Sequence, residues 1–99
     1  MIERSVYGSL NGTTTIVTLT ASTRTIIRNF SVCNRDSVNV TVTPTFVAQV
    51  PWTVILNPGD TVHCDDIYIL QAGETMTLVL GAAMTTSDPT YVVTYAEVG

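Results

Sequence analysis

One short stretch, His63-Cys64-Asp65-Asp66, gathers the side chains that most readily bind metal or move protons. Successive side chains of a strand point to opposite faces. His63 and Asp65 would then share a side, with Cys64 turned inward and Asp66 leaving at a turn. Two ligands on one strand fall short of the roughly three or four that a zinc site needs, and the second thiol, Cys33, is distant in the chain. An acidic loop beside a half-buried strand, with Cys64 as a small core hydrophobe, explains the cluster better. Asp60, Asp65, Asp66 and Glu74 could also gather around calcium, which takes about six to eight oxygens. Their spacing lacks the alternate-position repeat of a calcium loop, and turn capping accounts for them more simply. We expect no metal and no cofactor.

For nucleophilic catalysis the one histidine would have to serve Ser or Cys, and Cys64 is its sequence neighbour, facing the other way. No Gly-x-Ser-x-Gly, phosphate loop or paired-carboxylate motif occurs, so the expectation is a protein that is not an enzyme. Trp52, Tyr7, Tyr68, Tyr91 and Tyr95 could form a sugar-stacking platform, which keeps carbohydrate binding as an alternative of a different class. A Trp that follows Pro51 at the start of a strand is more often a core or interface anchor. Arg28 and Arg35 flank segment 30–34 and could fork onto carboxylates of a neighbour, although a solvated loop arginine is the ordinary reading of Arg35.

What must position these residues is a set of strands. Residues 55–62, Ile-Leu-Asn-Pro-Gly-Asp-Thr-Val, and residues 69–76, Ile-Leu-Gln-Ala-Gly-Glu-Thr-Met, are nearly one sequence written twice, fourteen residues apart. In each, a strand ends at Leu56 or Leu70, and Gly59 or Gly73 takes positive φ without steric cost. Asp60 or Glu74 caps the turn, and Thr61 or Thr75 starts the next strand. Pro58 pre-sets φ and stiffens the first corner. Around the corners the chain reads as short strands at 2–7, 13–20, 24–33, 38–43, 50–56, 61–64, 67–70, 75–80 and 91–96.

Within these strands the pattern is mostly period two. Val38, Val40 and Val42 alternate with Asn39, Thr41 and Thr43, and Met76, Leu78 and Leu80 point inward. Trp52, Val54 and Leu56 share one side. Pro44 cannot donate to a ladder and marks an edge or a bend. In 24–33, Ile26, Phe30 and Val32 share a face while Ile27 lies on the other. Arg28 then falls on the apolar face, which requires either a bulge nearby or an arginine paired in a partner interface. Residues 34–37 read as a hairpin-type loop, and 82–89 as the longest loop, turning at Ser87-Asp88-Pro89. About eight short strands with turns every eight to twelve residues or so, and no helix, specify an all-β fold. It is an antiparallel β-sandwich or jelly roll, in one domain over residues 1–99.

Composition bears on partners. Charged residues are 12% of the chain, all four bases are Arg, and Lys is absent. Thr and Val supply about a third of it, so polarity is carried by hydroxyls on strand-forming residues. Monomeric β proteins usually guard open edges with Lys, inward charges or prolines. Here either the sheets close on themselves or other subunits cover their edges and faces, and we favour cover by neighbours, hence a homo-oligomer. The net charge of −4, with no basic run, argues against nucleic acid and anionic membranes as partners. The start, Met-Ile-Glu-Arg-Ser-Val-Tyr, does not read as a secretory leader, and no apolar run approaches the roughly 20 residues of a membrane span. Cys33 and Cys64 are expected as reduced thiols.

The order of these signals resembles small virion proteins of tailed bacteriophages. The likeness runs over about residues 24–98. It is carried by Ile26-Ile27 to Asn34, by the valine alternation from Val38 to Val42, and by the two Leu-x-x-Gly-acid-Thr corners. It implies a β-sandwich on the capsid or at the neck and tail, made in the host cytoplasm, that binds other virion proteins rather than turning over a substrate. The resulting expectation is a capsid decoration (cement) protein, with a neck or tail component as the alternative. A carbohydrate-binding, host-adhesion module is the more distant one. Contacts are expected at Asn34, Arg35, Asp36 and Ser37, and in the late loop at Met84, Thr85, Thr86, Ser87 and Asp88. Arg28 and Trp52 would act as anchors in an interface of roughly 1,600 Å².

Overall fold

Alternation of Thr with Val, Leu and Ile produces nine strands in the computed structural model, which describes residues 2–11, 16–47, 49–81 and 87–98. They are β1 (Ile2–Ser9), β2 (Ile16–Thr20), β3 (Arg24–Cys33), β4 (Val40–Phe46), β5 (Val54–Leu56), β6 (Thr61–Cys64), β7 (Tyr68–Leu70), β8 (Thr75–Leu80) and β9 (Thr90–Val98). One sheet runs β1-β9-β3-β6, with β7 also on β3, and the other runs β2-β8-β4-β5. Every pairing is antiparallel. The pairs β1:β9, β2:β8, β3:β6/β7 and β4:β5 are nested about the β4–β5 connection, so the chain is one long ribbon of paired strands. Rolling that ribbon adds β3:β9 and β4:β8. With β6 and β7 counted as one interrupted strand, this is an eight-stranded jelly roll.

The core lies between the sheets. Phe30, Val32, Val42, Leu70, Met76, Leu78 and Leu80 are essentially sealed from water. In β3 the expected bulge is present: the register with β9 shifts between Ile27 and Asn29. It changes which isoleucine faces in. Ile27 is fully buried and Ile26 is not, the reverse of the plain alternation, because the extra residue Arg28 resets the parity between Ile27 and Phe30. Arg28 then reaches across β9 to Glu3 of β1, Nε to Oε1 at 3.1 Å. Between them on the outer face lies Ala96, opposite both Glu3 and Ile26 and wholly buried.

Two further expectations change, and the one for Pro44 holds. Residues 50–53 are not strand, and β5 starts only at Val54, after Pro51 has removed a donor. Pro44 sits in β4 opposite Leu78 of β8, but β5 ends opposite Val42. Its missing N–H therefore costs nothing on the β5 side, where β4 is locally an edge. Residues 34–37 are not a hairpin: β3 and β4 belong to different sheets, so this loop crosses the sandwich.

Both corners also cross between sheets, β5 to β6 and β7 to β8. Their internal bonding is the same. The N–H of Asn57 donates to Asp60 Oδ2 (3.1 Å) and the N–H of Gln71 to Glu74 Oε1 (2.6 Å). The backbone closes with Asp60 N to Asn57 O and Glu74 N to Gln71 O. Gly59 and Gly73 have φ of 84° and 86°, and a Cβ at either would touch nothing. Gly59→Ala and Gly73→Ala should therefore each lose about 1–2 kcal/mol, from the left-handed backbone alone. Val47 holds φ 51° as a β-branched residue, so Val47→Gly should gain up to about 1 kcal/mol. Urea unfolding of the three variants measures both effects.

Candidate functional site

The outer face of the four-stranded sheet carries no ionisable side chain among the described residues. Strands β4 and β8 bury alternate residues, which turns Thr41, Thr43 and Thr45 and then Thr75, Thr77 and Val79 to the outside. Strand β2 adds Ile16, Thr18 and Thr20, and β5 adds Ile55. The register lines up Thr18, Thr77 and Thr45 across three strands, and Ile16, Val79 and Thr43 in the next row. Thr43 and Thr53 exchange a hydroxyl hydrogen bond at 3.2 Å. Ile16 and Ile55 are 53% and 63% exposed. The other sheet's outer face differs: it holds the Arg28–Glu3 pair, the Ser5–Thr94 hydroxyl contact and His63.

A second feature lies where the open edges of β5 and β6 approach each other. An open groove of about 430 Å³ runs between Trp52, Thr53 and Val54 on one wall and segment 62–66 on the other. As the alternation requires, Cys64 points inward and is buried, while His63 and Asp65 share a side with Nε2 and Oδ1 2.8 Å apart. Both are largely exposed, so this pair is worth little energetically. Cys33 and Cys64 are free thiols. Cys33 lies opposite Thr61 on the outer face and Cys64 opposite Phe30 on the inner one. Asp60 and Glu74 are caps of their own corners. No group of three or more His, Cys, Asp or Glu gathers as metal ligands among the described residues.

Trp52 is not a free platform. Its ring stacks on Phe30 at 5.8 Å and 8°, and Tyr68 stacks on Phe46 at 4.0 Å and 12°. These four rings close one side of the core, so one face of Trp52 is already taken. Burial pushes the Tyr68 hydroxyl above the ordinary tyrosine range. A hydrogen bond with Trp52 works against that rise, and Cys64 and Asp66 add to it.

The early loop is built around Asn34 and Asp36, which are 0% and 3% exposed. Asn34 Nδ2 donates to the carbonyls of Val38 (2.9 Å) and Leu56 (3.0 Å), and its Oδ1 accepts from Asp36 N. The Asp36 carboxylate accepts from Ser37 N and from Ser87 N, the latter at 3.3 Å. The two loops expected to make contacts are thus joined, which the sequence did not signal. It also narrows the expectation for the early loop: Asn34 and Asp36 are its internal frame, and Arg35 and Ser37 are the members that face water. Ser87 is exposed and Asp88 half-buried. Met84, Thr85 and Thr86 lie outside the described residues. The outer Thr face and the groove were not singled out beforehand; the T-x-T repeats at 18–20, 41–45 and 75–77 were the signal available for the face.

Compared with protein-family models, curated proteins and solved structures, the chain matches none. No helix among the described residues is long and apolar enough to cross a membrane.

Asn34→Ala strands the buried Leu56 carbonyl and the part-buried Val38 carbonyl and should cost roughly 3 kcal/mol. Asn34→Asp sets a carboxylate against them, which raises its folded pKa above the unfolded one. That variant should therefore lose further stability as pH rises through the carboxylate range, read by urea unfolding at several pH values. In an alkaline ultraviolet titration Tyr68 should ionise above the ordinary tyrosine range, and Tyr68→Phe should remove that high-pH component. Because its folded pKa is raised, the stability Tyr68 contributes is present below about pH 10 and lost as pH climbs beyond it.

Proposed function

We propose that this chain is a non-enzymatic structural protein of a phage virion, a capsid decoration protein that clamps capsid subunits without covalent chemistry. The observation that supports this best is the uncharged threonine and aliphatic face of the four-stranded sheet. Hydroxyls and methyls can be taken out of water against another protein at small cost, whereas a face of charges would have to be paired residue by residue. Exposed Ile16 and Ile55 extend the apolar share of that face. The joined loops, with Arg35 and Ser87 outward, supply polar contacts at its rim. A neck or tail position uses the same surfaces and is the alternative.

Purified chain mixed with assembled capsid shells of a tailed phage should co-sediment with them. Thr77→Lys, which sets a cation in the middle of the uncharged face, should weaken binding at least about tenfold while leaving the circular dichroism unchanged. Binding only to neck or tail particles would move the assignment to the alternative. Binding to neither, or full binding by Thr77→Lys, would overturn it.

A further inference from the structure

Four strands have one open side: β1 and β6/β7 in one sheet, β2 and β5 in the other. Open edges are normally guarded against pairing by charge, proline, bulges or shortness, and three of these four are. Strand β1 carries Glu3 and Arg4, both held in ion pairs. Strand β5 has only three residues, between Pro51 and Pro58. On the β6/β7 edge, His63, Asp65 and Asp66 interrupt the line, and β7 is three residues long. Strand β2, Ile16-Val17-Thr18-Leu19-Thr20, has no charge, proline, glycine or bulge over five residues. Among the described residues nothing pairs with its free side.

We propose that β2 pairs antiparallel with β2 of a second copy of this chain, about a two-fold axis perpendicular to the sheet that passes midway between the two Thr18 residues. This rests on the reading of the chain as an assembly component and names the surface through which it meets itself. Centring on Thr18 brings all five residues into register. Val17 meets Leu19 of the second copy on the inner side, where both already pack against the core. Ile16 meets Thr20 on the outer side, and Thr18 meets its own equivalent. No like charges are opposed, and apolar faces apolar on the inside. The result is a continuous eight-stranded sheet, β5-β4-β8-β2 joined to its symmetry mate, with one uncharged outer face of twice the width. An isologous contact of this kind closes on itself and does not propagate into fibres.

Sedimentation equilibrium of the full chain near 0.1 mM should give about twice the 10.7 kDa chain mass, and Thr18→Lys should halve it with an unchanged circular dichroism spectrum. A cysteine scan tests the register. Opposed Cα atoms across an antiparallel pair fall within disulfide range, so Thr18→Cys should form an intermolecular disulfide under mild oxidation. Ile16→Cys should not, because the two-fold carries residue 16 to the far end of the pair. A wild-type chain that sediments as a monomer, a Thr18→Lys dimer, or equal cross-linking at 16 and 18 would each overturn the proposal. A monomer that still binds shells would remove the β2 contact and leave the virion reading standing. A dimer that binds no virion particle would do the opposite.

Discussion

Four backbone hydrogen bonds at two corners hold the sandwich in its topology. Gly59 N donates to Asn34 O and Asn34 N to Asp60 O; at the other end Gly73 N donates to Ala21 O and Ala21 N to Glu74 O, all between 2.7 and 3.0 Å. Ala21 and Asn34 bracket β3, the strand that touches β6, β7 and β9. The corners therefore grip the central strand of one sheet at both ends while they pass the chain to and from the other sheet. Their spacing matches that task. Gly59 and Gly73 are fourteen positions apart and Ala21 and Asn34 thirteen. So β6 and β7 can run back along β3 from one grip to the other, with the β3 bulge and the break at 65–67 absorbing the mismatch. The repeated octapeptide reflects this geometry rather than a duplicated domain.

That grip leaves the outward faces free to be specialised. One face keeps charge and uses it locally, with Arg28 and Glu3 closing over Ala96. The other carries no charge among the described residues and presents threonines at the strand and pleat spacings of a sheet. Threonine hydroxyls hydrogen-bond to water when the face is free, yet the face can be dehydrated against protein far more cheaply than lysines or glutamates. Reading the molecule as an assembly part rests on that asymmetry between its two faces.

Much of this was legible from residue order, and the exceptions have physical causes. The Leu-x-x-Gly-acid-Thr corners were plain because glycine φ and acid capping are local chemistry, and the inward set Met76, Leu78 and Leu80 followed from period two. The bulge at Arg28 could be inferred from a charge on an apolar face, but counting back from Phe30 through it gave Ile26 where Ile27 points inward. The loop from Asn34 carried turn formers that say nothing about which sheet the next strand joins. Its asparagine and aspartate looked like surface residues until their bonds to Leu56 and Ser87 placed them inside. The groove beside Trp52 required the edges of β5 and β6 to meet, and the uncharged face required three T-x-T segments far apart in sequence to fall in register. Both depend on long-range pairing.

A density map of the intact virion tests the central claim most directly. The expected result is this jelly roll seated on the particle with the β2-β8-β4-β5 face against neighbouring protein and the Arg28–Glu3 face toward solvent. A map with the threonine face turned to water and the charged face in contact, or with the chain absent from the particle, would contradict it.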